Sequence, residues 1–145
     1  MRCLLLSFLL CVACFAEEKA ACPWINLATV SGILGGPAEM TVANSDACEF
    51  VRRPSPLYTL QIRIGSRIAE AGKCSSPPTP QKAIGNEATA CAEQGKEGQR
   101  GERISGRVRD QHFLVRISTN DRSATDALLL EKASQAAEQV VGNLF

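Results

Sequence analysis

Arginine is concentrated in one stretch of the chain. Six arginines lie between Gln99 and Arg122, against three acidic residues and no lysine. The guanidinium group presents a rigid fork of donors that suits carboxylates and phosphates. Three of the arginines alternate with apolar residues along a predicted hairpin: Arg103, Arg107 and Arg116. We therefore predict an exposed basic face that binds an anionic partner, such as a lipid headgroup or an acidic polymer. The alternative is an ordinary solvated face of an antiparallel sheet.

His112, the only histidine, lies at the start of the second strand of that hairpin. A histidine-dependent hydrolase needs a nucleophile beside the imidazole, and the sequence contains no G-x-S-x-G elbow. It also contains no P-loop, no dinucleotide-binding glycine fingerprint and no EF-hand loop. The acidic residues fall in apparent loops and chain ends: Glu17, Glu18, Glu87, Glu93, Glu97 and Glu102. We therefore predict no catalytic residue, no cofactor and no metal.

The first 16 residues have the features of a signal peptide, because one arginine precedes a short apolar run. That run is shorter than the roughly 20 residues that a membrane-spanning helix needs. Cleavage after Ala16 gives a secreted or periplasmic chain. In the alternative, residues 11–14 act as a lipobox and a lipidated Cys14 anchors the protein to a membrane. Both interpretations leave one extracytoplasmic domain over 17–145, without a transmembrane segment.

Of the seven cysteines, four remain after either kind of processing: Cys22, Cys48, Cys74 and Cys91. An even number of cysteines in an exported chain indicates disulfides, and four cysteines allow three connectivities. We favour Cys22–Cys48 and Cys74–Cys91, because each pair brackets one local unit of structure. Zinc binding is the alternative, but structural zinc sites usually place ligands two to four residues apart.

The charge balance bears on the class of partner. The chain has 16 basic and 15 acidic residues, and removal of Arg2 with the leader makes it neutral. A neutral domain is not typical of nucleic-acid binding. The partners that remain are an anionic component of the envelope or another envelope protein.

Hydrophobic periodicity predicts the elements that position these residues. A short helix begins after Asn26 and ends at Gly35. A long amphipathic helix begins at Ser123, with Asp126 as capping partner, and ends near Gly142. About five or six strands lie between them, at 38–42, 48–53, 57–64, 83–91 and in the hairpin on either side of 109–111. Segments 75–80 and 93–101 are predicted as mobile loops. The order predicts an α+β fold with an antiparallel sheet, on which the long helix packs.

Six segments of the chain carry a resemblance to known proteins: 22–24 (CPW), 30–36 (VSGILGG), 48–50 (CEF), 84–91 (IGNEATAC), 106–118 (GRVRDQHFLVRIS) and 137–145 (AEQVVGNLF). In these segments the chain resembles small exported bacterial domains of unknown function, many of them lipoproteins. The resemblance implies a location in the bacterial envelope, the cysteine pairing favoured above and a PsbP-like α/β sandwich. It implies no catalytic residues.

The sequence therefore predicts a non-enzymatic extracytoplasmic domain that binds or scaffolds a component of the envelope. The alternative is a hydrolase or another extracytoplasmic enzyme whose site has no recognisable motif. The two hypotheses differ in what they expect around His112. An acid and a hydroxyl beside it in a cleft would favour an enzyme, whereas a shallow arginine-lined face would favour a binding domain.

Overall fold

The computed structural model describes residues 21–68 and 73–145 of the 145-residue chain. The predicted signal peptide and Cys14 lie outside the described residues. In chain order the elements are α1 (Leu27–Leu34), β1 (Ala38–Ala43), β2 (Ala47–Arg52), β3 (Tyr58–Gly65), β4 (Thr79–Gln81), β5 (Ala88–Gln94), a 3-10 turn (Lys96–Gly98), β6 (Arg100–Val108), β7 (Gln111–Thr119) and α2 (Asp126–Gly142).

Helix α1 begins and ends where the sequence predicts. The Asn26 side chain accepts a hydrogen bond from the Thr29 amide at 2.8 Å, which satisfies one of the free donors of the first turn. Gly35 ends the helix in the left-handed conformation, with a φ of 75°, which glycine adopts without steric cost. The apolar positions Val30, Ile33 and Leu34 are buried against the sheet.

Arg52 ties the end of α1 to the sheet. Its Nη1 donates to the carbonyls of Leu34 and Gly35, at 3.1 and 3.2 Å. Its Nη2 donates to the carbonyl of Pro56 at 2.7 Å, and its guanidinium lies 4.6 Å from the centre of the Tyr58 ring. The last carbonyls of a helix have no partner within the helix, so this side chain supplies their donors.

We expect Arg52→Ala to lower the free energy of unfolding by about 2 kcal/mol, because three carbonyls lose a charged donor. Arg52→Lys should recover little of this, since an ammonium lacks the planar fork that reaches several carbonyls at once. Urea denaturation of both variants measures the effect. Arg67→Ala, which removes an exposed arginine, is the matched control and should change stability by less than about 0.5 kcal/mol. Equal losses in Arg52→Ala and Arg67→Ala would contradict the capping role.

The sheet is fully antiparallel, with the strand order β1-β2-β3-β7-β6-β5-β4. Strands β1 to β3 form one meander, here called the first meander, and β4 to β7 form the second. Pairing of β3 with β7 joins the two meanders in the middle of the sheet. This architecture confirms the predicted α+β class with an antiparallel sheet, a short N-terminal helix and a long C-terminal helix.

The sheet has seven strands in the described part of the chain, and not five or six as predicted. The additional strand is β4, which lies at the end of the segment predicted as a loop because of its prolines. A proline is tolerated there because β4 is an edge strand and pairs only with β5. The segment predicted as a loop over 93–101 is also shorter, since β5 continues to Gln94 and β6 begins at Arg100.

Helix α2 covers one face of the sheet over β5, β6 and β7. Thr125, and not Ser123 as predicted, is its N-cap and accepts from the Leu128 amide at 3.2 Å. Ser123 instead donates to the Asp121 carboxylate through its amide and its hydroxyl, at 2.9 and 2.6 Å. Small side chains of the helix are fully buried in the core between helix and sheet: Ala133, Ala136 and Ala137.

Both disulfides are present in the favoured pairing, Cys22–Cys48 and Cys74–Cys91. The first joins the segment before α1 to β2, and the second joins the segment before β4 to β5. Two disulfides are compatible with an oxidising compartment outside the cytoplasm. Among the described residues, no helix has both the length and the apolar character that crossing a membrane requires.

Candidate functional site

The face of the sheet opposite α2, here called the outer face, carries the three arginines predicted to act together. Strand pairing places Arg103 of β6 directly opposite Arg116 of β7, and Arg107 of β6 directly opposite His112. Successive side chains of a strand alternate between faces, so residues 103 and 107 point the same way. The predicted sharing of one face is therefore confirmed.

The prediction that all three arginines are exposed is wrong for Arg103, which is only 3% exposed. A buried carboxylate explains the difference. Glu93 Oε1 lies 3.4 Å from Arg103 Nε, and Glu93 Oε2 lies 2.7 Å from Arg116 Nε. We call these three residues the Glu93 clamp. Two of the predicted anion-binding arginines therefore already pair with one carboxylate of the protein itself.

Sequence reasoning missed the clamp because it placed Glu93 in a loop. The signal that could have found it is the alternation in β5, where Ala88 and Ala90 face the helix while Cys91 and Glu93 face outward. A carboxylate that continues the outward set of a strand next to an arginine strand is a candidate for a cross-strand pair.

The disulfide of the second meander covers the clamp. Arg103 Nη2 lies 3.5 Å from the Sγ of Cys74 and 3.5 Å from the Sγ of Cys91. Cys91 is directly opposite Arg103 across the β5–β6 pair. The buried arginine thus contacts a carboxylate and a disulfide.

The polar row continues across β3 and β2 of the first meander. Gln61, which is opposite Arg116, donates to a carboxylate oxygen of Glu49 at 2.7 Å. Thr41 of β1 donates to the other carboxylate oxygen of Glu49 at 2.9 Å. Beside the clamp, the Glu49 carboxylate is thus hydrogen-bonded from both neighbouring strands.

A polar concavity of about 200 Å³ lies at the end of the outer face where β3 ends and β7 begins. It is lined by Ile68, Glu87, Thr89, Ser105, Gly106, Arg107, His112, Phe113 and Leu114. Leu114, only 5% exposed, contributes an apolar part of the lining. The polar groups come from neighbouring strands, because Thr89 is opposite Ser105 and Arg107 is opposite His112.

Arg107 differs from the clamp arginines in its partner. Its Nη2 lies 3.1 Å from Glu87 Oε1, and the two side chains are 44% and 70% exposed. Exposed ion pairs typically contribute 1 kcal/mol or less, so roughly that much is lost when one partner leaves. Arg107 can therefore exchange Glu87 for another anion at small cost, whereas Arg103 cannot exchange Glu93.

The concavity also brings His112 near an acid, Glu87, and near two hydroxyls, those of Thr89 and Ser105. Nucleophilic catalysis requires a hydrogen bond from the nucleophile to the base, and an acid that orients the base. Within the described residues His112 makes no hydrogen bond to either hydroxyl, and Glu87 pairs with Arg107. No group of His, Cys, Asp or Glu side chains among these residues could hold a metal ion. The arrangement presents donors around a small space and does not form a catalytic triad.

A second buried carboxyl lies on the helix face of the sheet. Glu102, also placed in a loop by sequence reasoning, is 5% exposed. Burial raises the pKa of Glu102 to about 7, and the carboxylates of Asp126 and Glu93 add to this effect. Asp126 is the first residue of α2 and pairs with Arg100. Glu102 is therefore a group whose charge changes near neutral pH.

No protein-family model, no curated protein and no solved structure matches this chain. The evidence for a site therefore comes from the geometry of the outer face.

Proposed function

We propose that this protein is a non-enzymatic domain of the bacterial envelope that binds an anionic group in the polar concavity, with Arg107 as the principal contact. The signal-peptide features, the two disulfides and the resemblance to small exported bacterial domains support the location. The partner is an anionic component of the envelope or the anionic surface of another envelope protein.

The observation that carries the proposal is the set of donors around the concavity. Arg107, His112 and the hydroxyls of Ser105 and Thr89 all border a space of about 200 Å³. Typical pockets for drug-sized ligands measure about 300–1,000 Å³. The space thus fits one carboxylate or phosphate group, and the rest of the ligand extends into solvent. Arginine recognises both groups through paired hydrogen bonds.

Titration of the secreted chain with inorganic phosphate at low salt, followed by amide NMR, tests the site. We expect shifts at residues 105, 107 and 112, and we expect Arg107→Gln to weaken binding about tenfold, since it removes a charged hydrogen bond. Binding should also weaken as salt rises, because exposed charges are screened. Arg122→Gln, at an exposed arginine between β7 and α2, is the matched control and should leave affinity unchanged.

The proposal fails if phosphate shifts no resonance of the concavity, or if Arg122→Gln weakens binding as much as Arg107→Gln. If phosphate binds as expected, co-sedimentation with phosphatidylglycerol vesicles distinguishes a lipid headgroup from a soluble anion. Vesicle binding that depends on Arg107 identifies a headgroup, and phosphate binding without vesicle binding identifies a soluble ligand.

The enzymatic alternative predicts a different result for the same site. A hydrolase would turn over model esters or phosphoesters, and Ser105→Ala or His112→Gln would abolish that turnover while the fold persists. We expect no turnover above that of a buffer blank.

A further inference from the structure

The two disulfides differ in the surroundings of their more buried sulfur, which is Cys48 in one bond and Cys91 in the other. Cys48 is 2% exposed, belongs to the hydrophobic core and lies opposite Ile62, and Cys22 packs against the same core. Cys91 is 3% exposed as well, but it faces a guanidinium. Arg103 Nη2 is 3.5 Å from both sulfurs of the Cys74–Cys91 bond. One disulfide has apolar neighbours, and the other has beside it a guanidinium that also pairs with Glu93.

This difference affects the reactivity of the bonds. Thiolates are stabilised by a nearby arginine and disfavoured in apolar surroundings. In thiol–disulfide exchange the rate rises as the pKa of the leaving thiol falls. The cation therefore favours departure of a sulfur from the Cys74–Cys91 bond, and the core disfavours departure from Cys22–Cys48.

We propose that Cys74–Cys91 is a thiol–disulfide exchange site for an external dithiol, and that Arg103 stabilises the Cys91 thiolate that forms when the bond is broken. This inference is independent of the proposed anion-binding function, because it concerns a different part of the outer face.

Exposure assigns the two sulfurs their roles. Cys74 is half-buried and has exposed neighbours in Lys73 and Ser75, whereas Cys91 is buried. The incoming thiolate therefore attacks Cys74 Sγ, and the electron pair of the S–S bond leaves on Cys91 Sγ. The mixed disulfide joins one sulfur of the dithiol to Cys74 Sγ. The second thiolate of the dithiol then attacks the dithiol sulfur of this bond and releases Cys74, which takes a proton. The dithiol becomes a disulfide, the protein gains two electrons, and one proton goes to solvent.

Reduction would loosen one edge of the sheet without opening the core. Beyond the disulfide, Cys74 is held by an isolated bridge to Glu93, and the Ser75 amide donates to the Ala92 carbonyl at 2.7 Å. The short strand β4 begins four residues after Ser75, at Thr79. Cys22–Cys48 stays closed and keeps α1 on the sheet. The exchange site is thus a means of freeing the segment from 73 to 81 while the rest of the fold persists.

The test exposes the oxidised secreted chain to dithiothreitol at pH 7, alkylates samples at intervals and maps the free cysteines by mass spectrometry. We expect Cys74 and Cys91 to appear at least about tenfold faster than Cys22 and Cys48. Arg103→Met should slow cleavage of Cys74–Cys91 and leave that of Cys22–Cys48 unchanged. Equal rates for the two bonds in the wild type, or faster cleavage of Cys22–Cys48, overturn the proposal.

A second measurement keeps the proposal testable if Arg103→Met does not fold. Cys74→Ser leaves Cys91 as a free thiol beside Arg103, and Cys22→Ser leaves Cys48 as a free thiol in the core. We expect ultraviolet thiolate absorbance at pH 7 from the first variant, lost on unfolding in urea, and none from the second. Equal thiolate absorbance from both variants contradicts the role of Arg103.

Discussion

Glu93→Gln is expected to lower the free energy of unfolding by about 3–5 kcal/mol, the loss typical when one partner of a buried ion pair is removed. The carboxylate lies between the guanidiniums of Arg103 and Arg116, at 3.4 and 2.7 Å, and is almost completely buried. Glutamine has nearly the same shape but no charge, so two guanidiniums lose their common counter-ion. Chemical denaturation of the oxidised protein measures the change.

Glu138→Gln, on the exposed side of α2, removes the same charge at an exposed position and should cost less than about 0.5 kcal/mol. Arg103→Met provides a further test. The double variant Arg103→Met with Glu93→Leu should lose less free energy of unfolding than the sum of the two single variants, by about 1 kcal/mol or more, because the residues share one network. Additive losses would show that the clamp does not act as a unit.

Glu102→Gln is expected to stabilise the protein at pH 8 by about 3 kcal/mol and to have little stabilising effect at pH 4. The rise of the Glu102 pKa from 4.5 to about 7 corresponds to about 1.4 kcal/mol per unit of pH between these values. The folded chain holds this proton more tightly than the unfolded chain, so stability falls as pH rises from 4.5 to 7. Glutamine does not titrate, so the variant lacks this loss of stability with rising pH.

Denaturation midpoints of wild type and Glu102→Gln across pH 4–8 measure the effect, and their difference removes the titration that both proteins share. Glu97→Gln, at an exposed glutamate of the β5–β6 turn, is the control and should follow the wild-type curve. A constant difference between wild type and Glu102→Gln at every pH would show that the pKa of Glu102 is the same in the folded and the unfolded chain.

Local signals in the sequence are sufficient to predict the elements whose ends and buried faces are marked by nearby residues. Helix α1 has a capping asparagine, a buried stripe and a terminal glycine within one short segment. The β6–β7 hairpin has a strict alternation that fixes which side chains share a face. The cap of α2 was misplaced because Ser123 and Thr125 are both good capping residues, and only the turn built around Asp121 decides between them.

Features that depend on pairing between distant strands could not be predicted. The exposure of Arg103 depends on Glu93, ten residues earlier, and on a disulfide that brings Cys74 over the sheet. The polar concavity likewise requires β3 to pair with β7, which no local pattern indicates. Strand β4 is too short to show an alternation of apolar and polar residues, and only its pairing with β5 identifies it as a strand.

The placement of the disulfides has a consequence for the order in which the chain matures. Each bond joins a strand of one meander to a segment that precedes that meander in the chain, with sequence separations of 26 and 17 residues, and neither crosses the pairing of β3 with β7. Short loops close at low entropic cost. In a chain that emerges N-terminus first, Cys22 can therefore be oxidised with Cys48 before Cys74 is available. The correct bonds are those between successive cysteines, so we expect oxidative folding to reach the native pairing without a disulfide isomerase, and the two meanders to join last.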